Sequence, residues 1–284
     1  MKTNLSRRDF FVRSSAAAIA ASLWPGRMFA DEAKGEAGEF DFIQVNDVHF
    51  TDPKKCPPWF EKAFAAMRES APKAEFLIVS GDLSSENTDM ELGGLKDLFP
   101  LLKIPVHVMP GNHDTAADGD QSHFEKNFPG ALNYAVEHRG WQLFCVNSAE
   151  SRAAENTKIP AATLAWCDDN VKKFDPKKPT ILSTHFPLGY AIARRPKNAD
   201  ALLDKFKDFN VQAIFNGHWH GYSEMMFHDA PVTTDRCCSR HRSNHDGSPK
   251  KGWFVCEARA GRISRRFVCA PAELLKPAKD SAGY

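Results

Sequence analysis

Residues 106–114 read Val106-His107-Val108-Met109-Pro110-Gly111-Asn112-His113-Asp114. A short apolar run, the length of a buried strand, stops at Pro110-Gly111 and gives way to polar side chains. A turn needs no imidazole there, so His113 asks for a reason. The same pattern recurs on both sides. Phe40–Val45 leads to Asp47-Val48-His49, Phe76–Val79 to Gly81-Asp82, Ile181–Ser183 to His185, and Val211–Phe215 to Gly217-His218-Trp219-His220. Between these runs lie segments with helical spacing. They are Pro58–Arg68, a stretch carrying Leu92, Leu95, Leu98, Phe99 and Leu102 closed by Pro105, Ala161–Phe174 with Pro160 near its start, and Ala201–Phe209. Tyr134–Glu137 and Trp141–Val146 read as a hairpin around Arg139-Gly140, and Gly252–Val268 as two strands around Ala260-Gly261. Interleaved βα units followed by hairpins predict an α/β sandwich with a mixed sheet or two sheets.

Ligands in open α/β sheets collect beyond the carboxyl ends of the strands, so the five clusters are expected to converge. Side chains at i and i+2 of a strand share a face. That rule predicts that Asp47 and His49 project together, as do His218 and His220. Gly81, Gly111 and Gly217 are read as hinges for sharp turns. Imidazole, carboxylate and carboxamide groups without a thiolate suit Fe, Zn, Mn or similar ions. Two divalent ions facing Asp47, Asp82 and a bridging hydroxide retain net positive charge. Such a pair attracts a phosphoryl group and can clamp its attacking and leaving oxygens.

The ordered set D-x-H, G-D, G-N-H-D, H and G-H-x-H resembles the calcineurin-like metallophosphoesterase superfamily over nearly the whole chain after residue 30. The resemblance implies an αββα sandwich of mixed β-sheets flanked by helices, holding two divalent or mixed-valence ions. It implies that Asp47, His49, Asp82 and His220 bind one metal, with Asp82 bridging, and that Asn112, His185 and His218 complete the second site. A metal-bridging hydroxide would then attack phosphorus in line. His113 would stabilise the phosphate and protonate the leaving group, with Asp114 orienting it. An imidazole suits that proton transfer near neutral pH; Asp114 as an ordinary turn residue is the alternative. The motifs look closest to the bacterial phosphodiesterase branch, so a small phosphodiester is the expected substrate. A phosphomonoesterase is the rival enzyme, and a metal-binding interaction module without turnover the rival from another class. The purple acid phosphatase branch places a tyrosine shortly after its G-D motif. Gly81–Asn87 contains none.

With 284 residues, 42% of them hydrophobic, such a chain can bury about 75% of its unfolded surface without staples. Residues 1–30 hold five of the 37 basic residues and one of the 36 acids, leaving 32 against 35 and a net charge of −3. No global field for nucleic acid or anionic lipid is expected. Ser6-Arg7-Arg8-Asp9-Phe10-Phe11 followed by the Ala/Ser-rich stretch to Trp24 resembles a twin-arginine signal, with a cleavage point after Ala30. A basic amphipathic helix is the alternative. The expected organisation is a signal over 1–30, a lead-in over 31–39, a catalytic domain over 40–270 and a tail over 271–284. The partner would be the twin-arginine export machinery, the location periplasmic or otherwise extracytoplasmic, and no membrane span is expected after the signal. An oxidising compartment permits disulfides among the seven cysteines, while buried free thiols suit Cys145 and Cys256 equally. His107 reads as a core or sheet residue. The Asp235–His245 stretch allows three readings: a zinc site of Cys237, Cys238, His241 and His245, a substrate-facing loop using Arg236, Arg240 or Arg242, or a plain surface loop. Adjacent cysteines fit structural zinc poorly.

Overall fold

The computed structural model describes residues 37–275. The twin-arginine segment, most of the lead-in and the end of the tail therefore lie outside the described residues. Within the described residues eleven strands form two mixed sheets. The first has the order β11-β10-β1-β2-β3, built from Arg262–Cys269, Gly252–Arg259, Phe40–Val45, Ala74–Ser80 and Val106–Met109. The second has the order β4-β5-β6-β7-β9-β8, built from Asn133–His138, Trp141–Val146, Thr180–Ser183, Val211–Asn216, Ala230–Thr234 and Ser223–Phe227. The first sheet is parallel across β1-β2-β3 and antiparallel at β10 and β11. The second is parallel across β5-β6-β7-β9 and antiparallel at both edges.

Strand alternation divides the core. On β5, Leu143 and Cys145 join the cluster that also contains Phe42, Phe76 and Val79 of the first sheet. Their neighbours Phe144 and Val146 turn outward onto the helical layer of Leu202, Phe206 and Cys167. The same split separates Ile181 from Leu182, and Ala213 and Phe215 from Ile214. Phe42 joins the layers, stacked on Phe76 with centroids 5.0 Å apart and edge-on to Phe215 at 5.9 Å. The arrangement is the expected αββα sandwich.

Among the described residues five α-helices flank the sheets: α1 Pro57–Ser70, α2 Asp89–Lys96, α3 Ser122–Asn127, α4 Ala161–Asn170 and α5 Ala199–Leu203. Helix α1 starts on Pro57-Pro58, whose missing N–H groups cost nothing in a first turn, and buries Trp59, Phe60, Ala63, Phe64 and Met67. Its apolar face covers the first sheet. The segment expected as one helix through Leu102 is broken. Helix α2 ends at Lys96 and a 3₁₀ turn spans Phe99–Leu102, because Pro100 can neither donate to nor pass the carbonyl of Lys96. Ala161–Phe174 likewise closes in a 3₁₀ turn at Val171–Lys173. The hairpin at Arg139-Gly140 is present, with both residues at positive φ.

Residues on either side of the expected domain boundaries are pinned to the body. Gly38 donates to the Arg139 carbonyl at 2.7 Å, and the Leu274 carbonyl accepts from the Trp59 indole at 3.3 Å. Among the described residues the cysteines are free thiols, and Cys145 and Cys256 are buried. His107 sits within β3, 5% exposed, against Phe76 and Tyr134.

Candidate metal centre

The loops that follow β1, β2, β3, β6 and β7 meet at one end of the sandwich. Asp47, His49, Asp82 and His220 form one group of closely spaced ligand atoms, and Asp82, His185 and His218 a second. Asn112 joins the second, its Oδ1 lying 3.1 Å from His185 Nε2. All seven are buried, at no more than 6% exposure. Polar groups so deep need partners, and these have chiefly one another.

Strand alternation does not produce this convergence. Asp47, His49, Asp82, His218 and His220 all lie at positive φ, between 45° and 66°. Each such non-glycine residue costs on the order of 1–3 kcal/mol, least for Asp, Asn and His. Backbone bonds hold two of them in place: Asp47 N–H donates to Gly81 O at 3.1 Å and His49 N–H to Asp82 O at 3.0 Å. His218 and His220 consequently part, one to each group, instead of sharing a face.

The glycines serve differently from hinges. Of the three, only Gly81 has positive φ. A Cβ on Gly111 would lie 2.1 Å from Asp82 Oδ1, one on Gly217 2.7 Å from Asp47 Oδ2, and one on Gly81 2.5 Å from His185 Nδ1. Each is small because a candidate ligand rests against it.

The donor set suits cations. Nε2 of His49 and Nε2 of His220 are 3.2 Å apart, with Asp47 Oδ1 3.1 Å from the latter and Asp82 Oδ2 3.5 Å from the former. Asp82 Oδ1 turns the other way, 3.3 Å from His185 Nε2. One carboxylate therefore offers an oxygen to each group. Burial, with His220 and His113 nearby, holds His49 well below its usual pKa. Burial and His185 do the same for His218, so both rings present lone pairs. Burial also opposes charge on His220, but Asp47 and then Cys237 outweigh it and hold its pKa well above the usual value. A metal would take that proton's place. The second ring nitrogens are anchored: His185 Nδ1 to Ser80 O at 3.0 Å, His218 Nε2 to Ala154 O at 2.8 Å and His220 Nδ1 to Ser243 O at 3.3 Å. Such bonds fix the tautomer and aim the ring, as around bound metals. The residues fit a pair of ions, held by Asp47, His49, Asp82 and His220 on one side and by Asp82, Asn112, His185 and His218 on the other.

His113 stands beside this set, half-buried, its ring edge-on to His49 with centroids 4.9 Å apart. Its Nδ1 faces the Ser85 carbonyl at 2.8 Å, which leaves Nε2 for proton transfer. Its backbone N–H donates to Asp82 Oδ1 at 2.9 Å.

Asp114 does not orient that ring. Its carboxylate accepts from Leu83 N–H (2.9 Å), Ser84 N–H (2.7 Å), the Ser84 hydroxyl (2.7 Å) and Gly111 N–H (2.9 Å). It ties the loop after β2 to the loop after β3. Burial and the charge of Asp82 nonetheless push its pKa up to about 6.

The Asp235–His245 stretch resolves as a belt beside the centre, and its four zinc-site candidates form no group of closely spaced ligand atoms. His241 Nε2 faces Thr51 Oγ1 at 3.2 Å and Cys56 Sγ at 3.9 Å, Cys237 Sγ lies 3.7 Å from the Arg242 carbonyl, and His245 stacks on His220 with centroids 5.1 Å apart. Arg236 is committed elsewhere, its Nε 2.9 Å from Asp246 and its guanidinium over Tyr222 and Phe267. Arg240 is half-buried on the belt. The belt arginine whose charge acts on His49 is Arg242.

Two supporting residues carry no motif. Ser148 Oγ accepts from the backbone N–H groups of His185 (3.1 Å) and Phe186 (2.8 Å). Arg152 accepts Asn112 Nδ2 on its carbonyl at 3.2 Å and donates to the Ser85 carbonyl that also holds His113. Ser148 follows β5 as the other clusters follow their strands, and that placement is a readable signal. Arg152 has none.

Comparison with known proteins agrees with the geometry. Residues 40–222 match the family model for calcineurin-like phosphoesterase. A probable glycerophosphodiester phosphodiesterase of Arcobacter nitrofigilis is 27% identical over 236 residues, covering 76% of this chain and 84% of that protein. A 3′,5′-cyclic-nucleotide phosphodiesterase of Nostoc is 24% identical over 199 residues, covering 62% and 70%. Among solved structures, a purple acid phosphatase from yellow lupin seeds superposes with a TM-score of 0.62 at 12% identity. That match covers 84% of this chain and about half, 53%, of the lupin chain, and it speaks for the fold alone. Motif order, converging donors and family match together place this chain in the calcineurin-like phosphoesterase family, as a metal-dependent phosphoester hydrolase.

Proposed function

We propose that this protein hydrolyses small phosphodiesters at a centre of two metal ions. The observation that carries this reading is Asp82, whose two oxygens divide between the two ligand groups. When bound, such a metal pair supplies Lewis acidity and lowers the pKa of a coordinated water. Iron, manganese and zinc all suit imidazole and carboxylate donors.

The chain's own residues do the remaining work. Five positive-φ residues hold the donors in place before substrate arrives. Neutral His and Asn donors leave the centre cationic, and Arg242 adds positive charge beside it. His113, with Nδ1 held by Ser85, delivers a proton from Nε2 to the departing alkoxide, a role worth about 10²–10⁴-fold in rate. The named relatives act on glycerophosphodiesters and cyclic nucleotides, which supports a diester over a monoester. A panel of aryl phosphodiesters and the matching monoesters, run at quantified metal content, tests this. Faster turnover of the diesters is expected, and a preference for monoesters would replace the reading with a phosphomonoesterase.

We also propose export by the twin-arginine route to the periplasm, on the strength of Ser6–Phe11. Replacing Arg7 and Arg8 with lysine should retain the protein in the cytoplasm; unchanged secretion would refute it.

A further inference from the structure

His220 is held differently from the other anchored ligand candidates. Its Nε2 faces Asp47 and His49, while the Ser243 carbonyl behind Nδ1 is 3.3 Å away, long for an N–H···O bond. His185 and His218 have carbonyls at 3.0 and 2.8 Å. What His220 has in addition is a braced belt: the fully buried Cys237 lies against the Arg242 carbonyl, one residue before the Ser243 carbonyl that faces the ring, and it acts electrostatically on His220.

Cys237 is itself boxed in. Its Sγ lies 3.7 Å from Lys251 Nζ and 3.7 Å from the Arg242 carbonyl, and the Lys251 ammonium also donates to that carbonyl. Lys251 is only 9% exposed, and an ammonium that deep is costly unless partnered. The backbone around the pair is tied down as well. Cys237 N–H donates to Asn244 Oδ1 at 3.0 Å, Asn244 Nδ2 reaches the carbonyls of Ser248 and Lys250, and Cys238 N–H donates to Asn46 O next to Asp47. Cys237 is not a member of the cluster of Asp47, His49, Asp82 and His220.

We infer that Cys237, braced by Lys251, is a positioning residue that fixes the His220 ring and so sets the affinity of one of the two metal sites. The inference rests on the two-metal reading proposed above. Its consequence is selective, because the Asn112–His185–His218 group has its own anchors.

The test titrates chelator-stripped, full-length protein with Co²⁺, following d–d absorption and binding heat. Cys237→Ala should weaken one of the two affinities roughly 10–100-fold, the usual effect of losing an outer partner of a ligating histidine, and leave the other unchanged. Cys237→Ser, which keeps a hydrogen-bonding group of similar size, should recover most of the loss. Lys251→Met should weaken the same site, and it carries the test if Cys237→Ala fails to fold. Unchanged affinities, or equal weakening of both sites, would overturn the inference. A sulfur-to-cobalt charge-transfer band in the wild-type protein would also overturn it, by making Cys237 a ligand. Wild-type protein that binds no Co²⁺ would remove both this inference and the two-metal reading, whereas wild-type binding with an unaffected Cys237→Ala removes this one alone.

Discussion

Replacing Gly111 with alanine isolates the placement of Asp82 from every other property of the centre. Gly111 has φ −102° and ψ −175°, a backbone that any residue adopts, so no conformational strain accompanies the change. The added Cβ would lie 2.1 Å from Asp82 Oδ1 and 2.3 Å from Asp82 N. Carbon and oxygen do not approach closer than about 3 Å, so the carboxylate must retreat by roughly 1 Å, a displacement that can cost about 10²-fold in rate. The crowding itself should destabilise the fold by about 1–3 kcal/mol. Because Asp82 faces both ligand groups, both metals should be lost or weakened together. The assay pairs metal quantification after gel filtration with turnover of an aryl phosphodiester and the melting temperature of the metal-free protein. Gly130→Ala is the control. Its Cβ would meet nothing within 4 Å, but φ is +73°, so it should cost about 1–2 kcal/mol of stability and leave metal content intact. If Gly111→Ala holds two metals and turns over like wild type, the placement assigned to Asp82 is wrong.

Four other substitutions separate the roles of single residues. Asp82→Asn should lower metal content and activity together, while His113→Ala should keep its metals and lose about 10²–10⁴-fold in turnover; equal metal loss in both would end that division. Asp114→Asn should cost about 1–3 kcal/mol in urea unfolding, because an amide cannot accept from three N–H groups and a hydroxyl at once. Its residual activity should track the folded, metal-loaded fraction, and full stability with a specific loss of turnover would restore the orienting role. His107, buried in β3 beside His138, has its pKa pushed down to about 4 by burial and then by that neighbour. The unfolded chain binds this proton near pH 6.5 and the folded one does not. Stability is therefore complete above pH 6.5 and falls as pH drops toward 4, by about 3 kcal/mol from this residue alone. His107→Gln should flatten the dependence of urea midpoints between pH 7 and 4.5, and an unchanged slope would refute the assignment.

Much of the fold was legible because its signals are local. Val106–Met109 and Trp141–Val146 are short apolar runs cut off by glycine or proline, and both are strands with those bounds. The hairpin of β8 and β9 is not legible in that way. Its turn uses His228 at positive φ in place of Asn-Gly, and β8 alternates between half-buried and exposed residues instead of apolar and polar ones. Helix α3 buries only Phe124, too little to produce a periodic pattern. At the site, residue types and order were readable, and the backbone was not. Left-handed Asp47, His49, Asp82, His218 and His220 obey no strand rule, because tertiary contacts hold them there. Arg152, Cys237 and the loop-tying role of Asp114 depend on atoms brought together across 30 to 67 positions or by the approach of the belt, and no spacing in the sequence encodes that.

A hydrolytic centre of two metals must lose and regain its activity with those metals, so re-metallation of stripped protein is the decisive experiment. Chelator-treated enzyme would be titrated with Mn²⁺ or Zn²⁺ while bound metal and phosphodiester turnover are measured on the same samples. Saturation is expected at two ions per chain, with turnover absent in the stripped protein and complete only as the second site fills. Full turnover at one ion per chain, or in the stripped protein, would contradict it.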